Sequence, residues 1–164
     1  MNYSMSLALL CFVGGLLTAC KLLPGEPYDD KELALGLTAP EGAIEVLFNP
    51  CGSLAIEEVR LVEVKGGVIG DDDDIVLWEV RADGPVPSSS LSTFVLGKSR
   101  DRFTETVPMA ESLPNKMGLL VFAGGRIHAN TSFKVDDLMT GAYLNYKEKY
   151  VSKADFVAFD SCNF

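Results

Sequence analysis

Apolar and polar residues alternate in short runs through most of the chain, which is the pattern of half-buried β-strands. The longest such run covers residues 126–135 and predicts one strand with two unlike faces. The residues predicted to point into a core are Ile127, Ala129, Thr131, Phe133 and Val135. The residues predicted to face solvent are Arg126, His128, Asn130, Ser132 and Lys134.

Turn residues separate this strand from other short apolar runs of the same kind. Residues 117–123 are apolar on both faces, as in a central strand, whereas the shorter, more polar segments 92–96 and 103–107 indicate edge strands. In residues 55–65 the alternation breaks between Leu61 and Val62, which predicts a β-bulge. The remaining predicted strands are 44–48, 75–81 and, after the pattern loosens, 142–146.

These strands predict an all-β chain that folds as an antiparallel β-sandwich of about seven to eight strands. Trp78 shares its predicted face with Val76 and Val80, so we expect it to anchor the core between the two sheets. Ser152 and Asp155 have the spacing of a cap that opens a short helical turn. The architecture resembles immunoglobulin-like modules, although their usual cysteine and tryptophan spacing is absent.

The segment before the first predicted strand has a different composition. Residues 21–42 mix proline, glycine and charge without sustained periodicity. They predict a flexible tether over residues 20–42, with a short helical turn near residues 30–35, followed by one domain over 43–164.

The first twenty residues carry no charged side chain and contain an apolar run too short to span a bilayer. This run ends in Leu17-Thr18-Ala19-Cys20, which resembles the lipobox of bacterial lipoproteins. The resemblance implies that residues 1–19 are a signal peptide and that Cys20 is acylated after cleavage. The alternatives are an uncleaved N-terminal anchor and a buried helix. The family normally has a lysine or arginine before the apolar run and this chain has none, which leaves the start open between Met1, Met5 and a misassigned start codon.

Export would leave two cysteines in the folded part, Cys51 and Cys162, since Cys11 departs with the signal peptide and Cys20 carries lipid. An oxidising compartment favours a disulfide between them. The alternative is two separate buried thiols, which behave as small hydrophobes.

The formal net charge is −9, from 14 basic and 23 acidic residues. This balance argues against nucleic acid and against anionic bilayer surfaces as partners, because both repel an acidic protein. The hydrophobic share of 48% is that of a globular domain.

Candidate chemistry is sparse. Four successive carboxylates form a weak candidate for Ca²⁺, but they lack the ligand spacing of a calcium loop and fit a solvated turn as well. His128, the only histidine, is expected at the surface and makes no metal site by itself. No familiar nucleophile, metal or phosphate-binding motif is present, and no cofactor is implied. The acidic candidates are Asp71, Asp72, Asp73 and Asp74.

On a sandwich scaffold, function is expected in the loops 83–91, 97–102 and 108–116. Loop 97–102 is the only locally basic one, and it fits either an anionic envelope polymer or an ordinary solvated tip. We therefore expect an extracytoplasmic lipoprotein, held to a bacterial membrane through Cys20, that binds an envelope protein or polymer without catalysis. The alternatives are an enzyme with a loop-built site and a small immunity or structural lipoprotein.

Overall fold

The computed structural model describes residues 33–98, 100–138, 142–144 and 149–158. Within these residues the chain forms ten strands, one six-residue α-helix and three single 3₁₀ turns. The strands and helix are β1 Leu33–Thr38, β2 Glu45–Pro50, β3 Ala55–Glu63, β4 Ile75–Pro87, β5 Thr93–Val95, β6 Phe103–Val107, β7 Lys116–Ala123, β8 Arg126–Lys134, β9 Ala142–Leu144, β10 Tyr150–Ser152 and α1 Lys153–Ala158.

The strands make two antiparallel sheets. One has the order β10-β9-β1-β2-β5 and the other the order β6-β4-β3-β7-β8. The predicted antiparallel sandwich is confirmed, as are the central position of β7 and the edge positions of β5 and β6. The strand count is higher than predicted, because β1 and β10 gave no recognisable alternation.

The main core lies between the sheets and is built from the inward faces of their central strands. Trp78 is fully buried there, and its ring meets the Phe94 ring edge-on at a centroid distance of 5.7 Å. Phe94 also contacts Phe103 in the same geometry at 5.3 Å. The predicted role of Trp78 as a core anchor is therefore confirmed, and aromatic edge-to-face contacts join the two sheets.

A second, smaller core covers the outer face of the first sheet. Phe156 of α1 is buried against Ala34, Leu47 and Tyr143. A Cβ atom at Gly36 would lie 3.0 Å from the Phe156 ring, so the glycine makes room for it. The predicted cap is confirmed, because the Asp155 amide donates to Ser152 Oγ at 3.0 Å where α1 begins.

A third cluster covers part of the outer face of the second sheet, where Val62, Val64 and Leu120 are buried. The segment between β3 and β4 lies over β7, since a Cβ at Gly118 would be only 2.7 Å from Ile69 Cγ2. Both faces of β7 are thus apolar because both are covered.

The predicted tether is wrong over its last part, because residues 33–38 form β1, which lies between β2 and β9. All six residues of β1 are buried. Its inward face carries Leu33, Leu35 and Leu37, while small Ala34 and Gly36 lie under Phe156. Covered on both faces, β1 has no polar face, so its sequence shows no alternation.

The predicted strand over residues 126–135 is confirmed as β8, but its alternation is interrupted at one point. A register shift pairs Val121 with Ala129 and Phe122 with Ile127, which leaves His128 as an extra residue in β8. The bulge turns Ile127 away from the main core and into the outer cluster. His128 is half-buried rather than exposed.

The bulge predicted at Leu61 and Val62 is present as a register shift at that point. Leu61 pairs with Trp78 and Val62 with Val76, so the extra residue is Leu77 on β4. Val76 therefore packs in the outer cluster. The prediction that Val76 shares the face of Trp78 is wrong. Val62 itself continues the alternation of β3 by facing outward under Ile69.

The predicted loop over residues 83–91 is largely strand, because β4 continues to Pro87. Val86 is buried in the main core opposite Ile56, and Pro87 pairs with Ala55 at the end of β3. Only the last residues of the predicted loop form a turn, at Ser88–Ser90. Pro85 and Pro87 made this segment resemble a loop, but Val86 between them is buried and paired with β3.

Candidate interaction surfaces

A lattice of four charged residues lies on the outer face of the second sheet, on β3 and β4. Glu79 accepts from Arg60 Nε at 3.0 Å and from Arg81 Nε at 2.9 Å. Glu58 contacts Arg60 Nη2 and lies 3.3 Å from Arg81 Nε. Each carboxylate therefore meets both guanidinium groups, and the lattice carries no net charge.

Thr106 Oγ1 adds a hydrogen bond of 2.7 Å to Glu79 Oε1. Burial raises the pKa of Glu79, but the Thr106 hydroxyl and the charges of Arg60 and Arg81 outweigh burial, so the net pKa lies below the ordinary 4.5. The guanidinium of Arg60 also lies 4.9 Å from the centre of the Phe122 ring. Glu58 Oε1 is buried without a hydrogen-bond partner, although it lies in ion-pair contact with Arg60 Nη2, so the lattice is not fully satisfied.

The edges β5 and β6, on one side of the sandwich, carry features that block further strand pairing. The Arg100 guanidinium donates to the backbone oxygens of Thr93 and Ser90 and lies 5.4 Å from the Phe94 ring centre. On β6, a register shift at Glu79 and Val80 interrupts the ladder. Glu105, also on β6, accepts a hydrogen bond of 2.8 Å from the buried Trp78 Nε1.

The basic loop 97–102 is thereby accounted for within the domain. Arg102 donates to the Pro85 oxygen at 2.9 Å, as Arg100 does to β5. Both arginines hold backbone carbonyls of neighbouring segments, which favours a structural role over an anion-binding one.

The edges on the other side are β10, which has three residues, and β8, which has nine. Between the bulge at His128 and its end, β8 carries no proline and no acidic residue. Asn130 and Lys134 are exposed, while Ala129 and Phe133 are buried in the main core. Among the described residues, β8 is the longest edge strand. Its bulge at His128 and its exposed Lys134 are themselves features that discourage strand pairing, but its second half lacks the arginine contact of β5 and the register shift of β6.

Two lysines stand directly opposite each other near the end of β8. Lys116 on β7 pairs in register with Lys134, and both are exposed. Directly opposed residues of an antiparallel pair have Cβ atoms about 5 Å apart, so the like charges repel. Within the described part of the chain, no carboxylate lies within ion-pair distance of either lysine.

The acidic run Asp71–Asp74 closes the loop before β4. Asp74 accepts from the Gly70 amide at 2.8 Å and from the Lys65 amide at 3.2 Å, and Asp71 accepts from the Asp72 amide at 2.9 Å. Across the residues described, no three histidine, cysteine or acidic side chains are grouped to hold a metal ion. Asp71, Asp72, Asp73 and Asp74 thus lie in a turn in which the carboxylates of Asp71 and Asp74 accept from nearby backbone amides.

Several predicted sites fall elsewhere. Cys20, Cys162, the signal peptide and residues 20–32 of the tether lie outside the described residues. Cys51 is half-buried just after β2. In the ranges that the structure covers, no helix has the length and apolar character to cross a membrane.

The sequence did not indicate the charged lattice or the opposed lysines. Both depend on which residues stand opposite each other across strands, and that register follows from bulges rather than from residue type. Comparison with protein-family models, curated proteins and solved structures finds no match for this chain.

Proposed function

We propose that this protein is an extracytoplasmic lipoprotein, anchored through Cys20, that binds an extended segment of an envelope protein along the edge of β8. The observation that carries the binding role is the length of this edge together with the absence, in its second half, of the features that block β5 and β6. Strand addition to an open sheet edge is a common mode of peptide recognition, in which backbone hydrogen bonds supply the affinity.

The topology is compatible with such an anchor. Leu33, at the start of β1, pairs with Pro50 at the end of β2. Four residues follow Pro50 before the chain enters β3, and the start of β3 lies beside the end of β7. The turn from β7 into β8 therefore lies at the same end of the sandwich as Leu33, and β8 runs away from that end. Residues 21–32, between Cys20 and β1, span about 40 Å at most when fully extended.

The position of α1 supports a disulfide between Cys51 and Cys162. Asn49 Nδ2 donates to the Phe156 oxygen at 2.8 Å, so the last turn of α1 lies beside the end of β2, two residues from Cys51. Five residues separate Phe156 from Cys162, which is ample chain to reach Cys51. Closing a loop of this size would stabilise the fold by about 4–5 kcal/mol.

The anchor is tested by the mass of the full chain, isolated from the membrane fraction of the cells that make it. We expect loss of residues 1–19 and added acyl mass, and both should vanish in Cys20→Ala. A gain of about two daltons on reduction would report the disulfide. An unprocessed wild-type chain without lipid would refute the anchor.

The binding role is tested by placing a photoreactive residue at Asn130 and introducing an inward-pointing lysine on β8 with Thr131→Lys. The matched control is Thr93→Lys, which changes a similarly half-buried threonine on the β5 edge. We expect one discrete cross-linked product that Thr131→Lys abolishes and Thr93→Lys preserves, with both variants folded. A product that survives Thr131→Lys, or no product, would argue against the β8 edge.

A further inference from the structure

The opposed lysines at the end of β8 suggest what kind of segment this edge receives. A like-charged pair directly across two strands destabilises the sheet, yet Lys116 and Lys134 stand in that arrangement on a chain of net charge −9. Both belong to the outer face, the face of Gly118 and Ser132 two pairs further along the ladder. A strand added beside β8 would place its own outward side chain next to Lys134.

We infer that the segment received by β8 carries a carboxylate that lies against Lys116 and Lys134. The inference rests on the proposed strand addition and names the chemistry of the partner: an extended acidic protein segment. A carboxylate there meets two ammonium groups and removes their repulsion, whereas a lysine of the partner would make a third like charge.

The rest of the edge is compatible with this choice. From Arg126 to Lys134, β8 contains two basic residues and no acidic one, in a protein where acidic residues outnumber basic ones. Outward neighbours of the added strand would be Asn130 and Ser132, which hydrogen-bond to polar side chains. Inward ones would lie beside half-buried Thr131 and buried Phe133, which favours β-branched residues.

The test uses the full mature chain and synthetic nine-residue peptides of alternating valine and threonine, N-methylated on alternate amides so that they cannot stack on one another. One peptide has a glutamate at each end and a second has a lysine at each end. A third has the glutamates but is N-methylated on every amide, so it keeps its charge and cannot donate to a ladder.

We expect the glutamate peptide to bind more tightly than the lysine peptide, by about twofold to fivefold for each exposed charge pair changed. Lys134→Glu should reverse this preference. Lys98→Glu, which makes the same charge change at an exposed site after β5, should leave it in place. The preference should also weaken as salt is raised.

The outcomes separate the two proposals. Binding of the glutamate and lysine peptides with equal affinity would overturn the acidic preference and leave strand addition standing. Equal binding of the fully methylated peptide would show charge attraction without backbone pairing, and would overturn strand addition itself. Failure of every peptide to bind would overturn both.

Discussion

Replacing Phe156 with alanine should detach the C-terminal segment while the sandwich stays folded. Phe156 is 1% exposed and is the buried residue of α1, resting on Gly36 and packed with Ala34, Leu47 and Tyr143. Removing a buried phenylalanine side chain typically costs 3–5 kcal/mol, by lost burial and by the cavity left behind.

Among the described residues, the segment has few other attachments. β9 joins β1 through one residue pair, Leu37 with Leu144. Asn49 Nδ2 donates to the Phe156 oxygen at 2.8 Å, Tyr143 donates to Glu45 Oε2 at 2.9 Å, and Lys153 lies 3.8 Å from Glu45 Oε1. We therefore expect a loss of about 3 kcal/mol, taken mainly as local opening of α1 and β10, because each remaining contact is worth about 1 kcal/mol or less.

Hydrogen exchange measured by mass spectrometry distinguishes local from global opening. In Phe156→Ala, amides of α1 and β10 should lose protection by about two orders of magnitude, while β3 and β7 keep theirs. The matched control is Val157→Ala on the same helix, where the side chain is 60% exposed and the change should be below about 0.5 kcal/mol. An equal loss of protection in β3 and β7 would refute the reasoning, since it would make α1 part of one cooperative unit with the sandwich.

Three further changes test the charged and polar contacts. Glu79→Gln should destabilise the fold by about 1–3 kcal/mol near neutral pH. Because the folded pKa of Glu79 lies below 4.5, the wild type should lose this advantage as pH falls below 4.5. Urea titrations at several pH values should therefore show the unfolding free energies of the two chains converging at low pH. Burial first, and then the hydrogen bond to Glu45, raise the pKa of Tyr143 from 10.0 to about 12. The wild type should therefore lose stability between pH 10 and 12, and Tyr143→Phe should not show this loss. Melting temperatures that fall equally in both chains over this pH range would contradict the prediction. Lys134→Glu should stabilise the chain by up to about 1 kcal/mol, because it converts repulsion with Lys116 into attraction, and a lowered urea midpoint at low salt would count against the opposed-lysine geometry.

How much of the fold the sequence predicts depends on what covers each strand. Most of β8 has one polar face, and that part was located because alternation reports a half-buried surface. β1 was missed because Phe156, more than a hundred residues later, covers its outer face and removes the need for polar residues there. The same holds for Val62 under Ile69, where burial on the outer face looked like a break in the pattern.

The charged lattice shows a second limit of sequence reasoning. Glu58 and Arg60 are two residues apart, as are Glu79 and Arg81, so each pair by itself looks like the polar face of a strand. They meet because Glu58 pairs with Arg81 and Arg60 with Glu79, a register that holds only between the irregularities on either side of it. Bulges are set by packing around them, and no residue type marks their positions in this chain.

The strand that the sequence indicated most clearly, β8, is also the longest edge strand among the described residues, and the two facts have one cause. A central strand of a sandwich is covered by neighbours and layers, as β1 and β7 are, and its sequence becomes uniformly apolar. An edge strand keeps a solvated face, and its alternation persists, as it does from Ala129 to Lys134. β5 and β6 are also edges, but Arg100 binds the Thr93 backbone oxygen of β5 and a register shift interrupts β6. The second half of β8 keeps its alternation without either feature, and its last residue, Lys134, stands opposite Lys116 of β7, so an added acidic strand would remove a repulsion between like charges.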